Sequence, residues 1–123
     1  MPWCISETHD LIVTIVKRGW AEKIVEASKK AGAEGGTIIY GRGMGIHEGK
    51  KVMGIPIEPE KEVLLTLAPN DISDEILDAI IEAGRLNRPG TGIAFVIDVK
   101  KVAGIVHLLE QYNKKEQNPE KSE

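Results

Sequence analysis

The chain has 123 residues, 41% of them hydrophobic and 28% charged, which is enough apolar material for one domain with a core and too little length for two. A formal net charge of −3 and few aromatic side chains argue against a nucleic-acid binder, whose footprint is a strongly basic, stacking-rich face. The single cysteine, Cys4, excludes an internal disulfide framework. The opening MPWCISETHD lacks the basic and long apolar stretches of a secretory leader, and no apolar run is long enough to cross a bilayer, so the expectation is a cytoplasmic protein that is not membrane-embedded.

In chain order, residues 1–9 read as an N-terminal arm, residues 10–109 as the folded domain and residues 110–123, almost free of apolar side chains, as a disordered tail. Asp10 to Val16, short and β-branched, reads as a central strand. Trp20 to Ala31 carries Ala21, Ile24, Val25, Ala27 and Ser28 on one side at helical spacing, with Gly32 as its stop. Thr37 to Tyr40 is a second strand and Glu62 to Leu67 a third. Asp71 or Ser73 is placed to cap a second helix that runs to about Ala83, with Gly84 as its stop. Ile93 to Ile97 is a fourth strand, and Val99 to Leu109 fits helical spacing better than strand spacing, so a short final helix is expected.

The order βαββαβ predicts an α+β, ferredoxin-like domain, with both helices on one face of an antiparallel sheet. The strands look apolar on both faces, so the bare face predicts a closed homo-oligomer.

Two loops carry the functional signals. Tyr40 to Lys61 contains five glycines, two prolines and four Lys or Arg residues, and so long a connection is usually functional or disordered. Arg42, Lys50 and Lys51 suit an anion or a partner, whereas Met44, Ile46 and Met53 are apolar for a solvent loop and suggest that it docks on protein. His47, followed by Glu48, can titrate or ligate but reads first as a solvated pair. A Walker site is rejected, because Gly43 and Gly49 are separated by five residues rather than four and Lys51 stands where the hydroxyl should be. The second loop, Arg88-Pro89-Gly90-Thr91-Gly92, forms an anion cradle with Gly41, Arg42 and Gly43 if the fold joins the two; otherwise it is a tight turn into the next strand. No hydrolytic constellation is visible, and Cys4 with His9 falls short of the three or four ligands that a metal site needs.

Taken together, the element order, Gly41-Arg42 at the base of the long loop, the Pro-rich return and the Gly90-Thr91-Gly92 turn into Ile93-Ala94-Phe95-Val96 resemble the P-II (PII) nitrogen-regulatory signalling proteins over about Asp10 to Ile105. The resemblance implies a homotrimer of ferredoxin-like subunits without catalytic activity. It also implies intersubunit clefts that bind an adenine nucleotide (AMP, ADP or ATP) and long loops that regulate a transporter or enzyme. By position, Gly41 and Arg42 are similar to the family's loop-base pair, and Gly90, Thr91 and Gly92 to its phosphate-cradling loop. Thr37 is similar to its threonine at the start of the second strand. The family's lysine after Gly-x-Gly is Ile93 here, its paired arginines fall in Ala103 to Val106, its loop-base glutamine corresponds to Gly43, and its loop tyrosine is absent, since Tyr40 and Tyr112 lie outside residues 41–61. These departures leave open a ligand less charged than ATP, such as AMP, ADP or another small metabolite, or no nucleotide at all. Two other readings stand beside this one: a trimeric metal-binding protein of related fold using Cys4 and His47, and a small enzyme at the same cleft using His47 and Glu48.

Overall fold

The computed structural model describes residues 4–44, 51–52, 55–56 and 59–104. In chain order the elements are β1 (Cys4–Lys17), α1 (Ala21–Lys30), β2 (Thr37–Arg42), β3 (Lys51–Val52), β4 (Ile55–Pro56), β5 (Glu60–Pro69), a 3₁₀ turn (Asn70–Ile72), α2 (Ser73–Gly84) and β6 (Gly92–Ala103). Strands β2, β5, β1 and β6 form a four-stranded sheet in that order, every neighbour pair antiparallel, while β3 and β4 make a separate two-stranded ladder within the long loop. Each helix therefore joins two strands that have a third lying between them, which is the ferredoxin-like α+β arrangement expected from the order of elements.

Alternation along the strands decides which face carries the core. In β1, Ile12, Thr14 and Val16 are buried, whereas Leu11, Val13 and Ile15 are half-buried; in β5, Leu64, Thr66 and Ala68 are buried. Ile12, Val16, Leu64 and Ala68 share one cluster with Ala21 and Ile24 of α1 and Ile76 and Ile80 of α2, so both helices cover the same face. Burial of each such Ile or Leu contributes about 1.5–3 kcal/mol. On the opposite face Ile39, Ile93, Phe95 and Ile97 are exposed, and no described element covers them.

The sheet is longer than the sequence suggested. Residues 4–9, expected as an arm, extend β1, and residues 99–103, expected in a final helix, extend β6; the two pair out to Cys4 opposite Ala103. Val99 and Val102, three apart, fit the helical period rather than strand alternation, yet the cross-strand partner decides: Val102 is buried against Ile5, with Leu67 and Val99 packed on the pair. Gly104, at φ 96°, follows the end of the strand. Residues 105–123, which include His107 and the expected tail, lie outside the described residues.

The helix ends also differ. Ser73 does not cap α2; its hydroxyl donates to the Asp10 carboxylate at 2.7 Å, tying the helix start to β1. Gly84 is the last residue of α2 rather than its stop. A Cβ there would stand 3.1 Å from Ile24 Cδ1, and the left-handed residue that ends the helix is Arg85, at φ 52°.

A bulge interrupts β1 between Ser6 and His9, with Glu7 at φ 55° and its carbonyl accepting from Asn70 Nδ2 at 2.7 Å. Beside it His9 is only 6% exposed, bonded through Nδ1 to Thr8 Oγ1 at 2.8 Å, and its Nε2 has no partner among the described residues. Burial lowers its pKa below the ordinary 6.5, against the charges of Glu34, Asp10 and Asp71, which raise it. The unfolded chain therefore binds more protons than the folded one between the lowered folded value and 6.5, and stability rises with pH across that window. Denaturant melts at several pH values should show a loss of stability on acidification through 6.5 that is shallower in His9→Gln.

Candidate functional site

The strand register places the two candidate loops. Arg42 pairs with Glu60, Gly41 with Lys61, Lys61 with Lys17, and Val16 with Gly92. The base of the long loop and the turn into β6 thus lie at the same end of the sheet but on opposite edges, β2 and β6. Three strand spacings, about 14 Å, separate them. Within one subunit Gly41 and Arg42 do not meet Arg88, Gly90, Thr91 and Gly92. Thr37 stands at the far end of β2, five residues from Arg42 and so roughly 16 Å away along an extended strand.

At the loop base a cleft of about 340 Å³ is lined by Arg18, Tyr40, Gly41, Arg42, Glu60 and Lys61. Three features build it. β1 ends at Lys17, so Arg18 projects beside the start of β5, where its backbone N–H donates to Glu60 O at 3.3 Å and its guanidinium forms an ion pair with the Glu60 carboxylate. That hydrogen bond, then the charge of Glu60, raises the Arg18 pKa above its ordinary value. Tyr40, 73% exposed, and Arg42 lie on the same face of β2, two residues apart. Gly41 sits between them with no heavy atom within 4 Å of the place where a Cβ would be, and its φ is not positive, so neither packing nor backbone conformation in the described chain requires glycine there. Gly43 N–H donates to Pro59 O at 3.3 Å and closes the loop base.

Across the ladder from Tyr40 stands Glu62, which is 5% exposed. Its Oε1 accepts from Gly19 N at 2.6 Å and Ala21 N at 3.2 Å, so a carboxylate from β5 fills the N-terminus of α1. Sequence reading missed both Arg18 and Glu62. For Glu62 a signal existed: period-two alternation puts it on the same face as Leu64 and Thr66, where an acid without a partner is costly.

At the other edge the turn is largely self-satisfied. Thr91 Oγ1 lies 2.8 Å from Arg85 O and 3.0 Å from Arg88 O and donates between them, which leaves the backbone amides and the exposed Arg88 guanidinium as the donors this turn can offer a ligand. Gly90, at φ 81° with open space around it, supplies the turn conformation. Gly92, at φ 149°, is a packing glycine, because a Cβ would stand 2.4 Å from Ile15 O and 2.9 Å from Val16 Cγ1. Gly92→Ala is expected to lower stability by about 1–3 kcal/mol through overpacking, read as a lower denaturation midpoint at unchanged m-value.

Of the long-loop residues expected to meet a partner, Met44 is 59% exposed and Lys51 pairs with Pro56 in the β3–β4 ladder. Ile46, His47, Lys50 and Met53 lie outside the described residues. Among the described residues no group of three or more His, Cys, Asp or Glu could hold a metal ion, and no helix is long and apolar enough to cross a membrane.

The model of the family described as Nitrogen regulatory protein P-II matches residues 9–107. The chain belongs to the P-II family. The match runs from the bulge in β1 through both loops and past the end of β6, so all of the ferredoxin-like domain of this P-II protein except the first residues of β1, and the whole loop-base cleft, fall within one family unit, a family of nitrogen-regulatory signalling proteins. Comparison with curated proteins gives no match.

Proposed function

We propose that this P-II protein is a cytoplasmic, non-catalytic sensor. It assembles as a homotrimer, binds an adenine nucleotide or another small anionic metabolite in clefts between subunits, and regulates a transporter or enzyme through the loop 41–61. The observation that carries the reading is Gly41. A glycine inside a strand weakens it, and nothing in the described chain occupies the space beside this one or requires its conformation, so its use fits close approach by a molecule from outside the subunit. Arg18, Arg42 and Lys61 around it give that molecule a negative charge to match.

The placement of the two loops supports an intersubunit site. They lie at one end of the sheet on opposite edges, so a ligand that meets both does so where the β2 edge of one subunit comes beside the β6 edge of another. The helix-free face of the sheet, with exposed Ile39, Ile93, Phe95 and Ile97, supplies the apolar area for that assembly. The test is calorimetric titration with AMP, ADP and ATP. Arg42→Ala and Arg88→Ala are each expected to weaken the preferred nucleotide by about tenfold or more, the loss of one charge-assisted contact. Unchanged affinity in both variants would overturn the site.

A further inference from the structure

At the end of the sheet away from both loops, His9 stands opposite Pro69, the last residue of β5. Toward the N-terminus β1 has only β6 beside it among the described residues: Cys4, Ile5 and Ser6 pair with Ala103, Val102 and Lys101. Residues 4–8 of this two-stranded ribbon precede the match to the P-II family, which begins at residue 9. The ribbon is also separate from the main core, since Ile5 and Val102 form a small cluster of their own with Leu67 and Val99. Two strands alone are marginally stable in water, so the ribbon opens more readily than the four-stranded sheet, with the bulge between Ser6 and His9 as its joint. His9 sits at that joint. By register it shares a face with Val99 opposite it and with Leu11, Val13 and Ile15 along β1, the face that the helices do not cover. Those three are half-buried whereas His9 is buried, so the ribbon and its cluster, not the helices, close over the ring. Nδ1 is bonded to Thr8 Oγ1, within the ribbon, and Nε2 has no partner among the described residues. An imidazolium carries two N–H donors and finds no acceptor for the second there, so charging the ring is costly while the ribbon is closed.

We propose that residues 4–8 are a latch over the end of the bare sheet face, released when His9 takes up a proton. Charged groups surround the ring from each neighbouring element: Asp10 on β1, Glu34 ahead of β2 and Asp71 on the 3₁₀ turn, with Glu7, Asp98 and Lys100 lining a cleft of about 390 Å³ beside it. Burial lowers the pKa of His9, and it outweighs Glu34, Asp10 and Asp71, which favour the charged ring. With the latch open the ring meets water and the ordinary value of 6.5 applies. The open form therefore binds more protons than the closed one below 6.5, so acidification favours release and a rise in pH favours closure. Release also uncovers Leu67 and Val99, which lie on the same face as the exposed Phe95 and Ile97.

The test is amide hydrogen exchange of the full chain, read residue by residue by magnetic resonance at about pH 7.5 and about pH 5.5 and corrected for intrinsic exchange rates. Amides of residues 4–6 and 101–103 are expected to be less protected than those of Ile12 and Leu64 at both values, because the ribbon opens by itself. Their protection should fall by up to about tenfold on acidification, the limit for one proton about one pH unit below the open-state value, and the fall should vanish in His9→Gln. A second variant reads the same link in reverse. Asn70→Ala removes the bond from Asn70 Nδ2 to Glu7 O and is expected to lower the ribbon's protection at about pH 7.5 while moving the imidazole titration of His9 up toward 6.5. Ribbon amides as protected as the core, protection that does not change with pH, or a fall that persists in His9→Gln overturns the proposal. So does a His9 titration that stays in place while Asn70→Ala loosens the ribbon.

Discussion

Replacing Glu62 with alanine is expected to lower the unfolding free energy by about 2–4 kcal/mol. The carboxylate is buried, and it accepts from two backbone amides at the start of α1, Gly19 N at 2.6 Å and Ala21 N at 3.2 Å. Removing it leaves both amides without this acceptor: the buried Ala21 donor costs about 1–3 kcal/mol, whereas the exposed Gly19 amide turns to water at smaller cost. It also withdraws a negative charge placed against the positive end of the helix dipole, where Glu22 of the first turn remains, and it opens a gap in a packed layer. Glu62→Gln keeps an acceptor oxygen of the same reach, so a smaller loss of about 1–2 kcal/mol is expected, from the charge alone. Denaturant unfolding of the two variants side by side checks this: a loss in Glu62→Ala no larger than in Glu62→Gln would mean that the two bonds to the helix start carry little.

Glu62 also shows why part of the site was legible in the sequence and part was not. The apolar runs, the helical stripe from Ala21 to Ser28 and the turn residues on either side gave the element order directly, because each of those signals is local. The partner of Glu62 lies 43 residues away at Gly19, and only the pairing of β1 with β5 brings them together. The same holds for Arg18 and Glu60, whose union depends on that register. The polar stretch Ser6 to His9 has little strand character of its own and is strand because β6 offers it a ladder. Gly84 and Arg85 exchange the roles that propensity would assign, since Ile24 of the neighbouring helix approaches the former closely enough that a side chain there would have to displace it. Glycine-rich sequence made Gly41 and Gly92 look alike. Their surroundings separate them: Gly92 is required by contact with Ile15 O, whereas Gly41 has open space.

Phe95→Asp is expected to dissociate the proposed trimer to monomers while leaving the subunit folded. Phe95 stands opposite Val13, on the face of the sheet that the helices do not cover, and is 42% exposed, so a charged side chain there reaches water in the isolated subunit without entering the core of Ile12, Leu64, Ile76 and Ile80. In an assembly that buries this face the same carboxylate is taken out of water three times over, once per subunit. Burial of a fully exposed large apolar side chain is worth about 1.5–3 kcal/mol, and less than half of Phe95 remains to be buried, so the three lost phenylalanines alone remove roughly 2–4 kcal/mol, about two to three powers of ten in the assembly constant. Desolvation of the three acids adds to this. Sedimentation at micromolar concentration should show one third of the mass of the unmodified protein, with the far-ultraviolet dichroism of both helices and the sheet retained. Because the two loops lie on opposite edges of one subunit, nucleotide affinity should fall together with the mass. A variant that stays trimeric would place the interface on another surface. One that becomes monomeric yet binds nucleotide as before would confine the ligand to the loop-base cleft of a single subunit, the cleft formed by Arg18, Tyr40, Gly41, Arg42, Glu60 and Lys61.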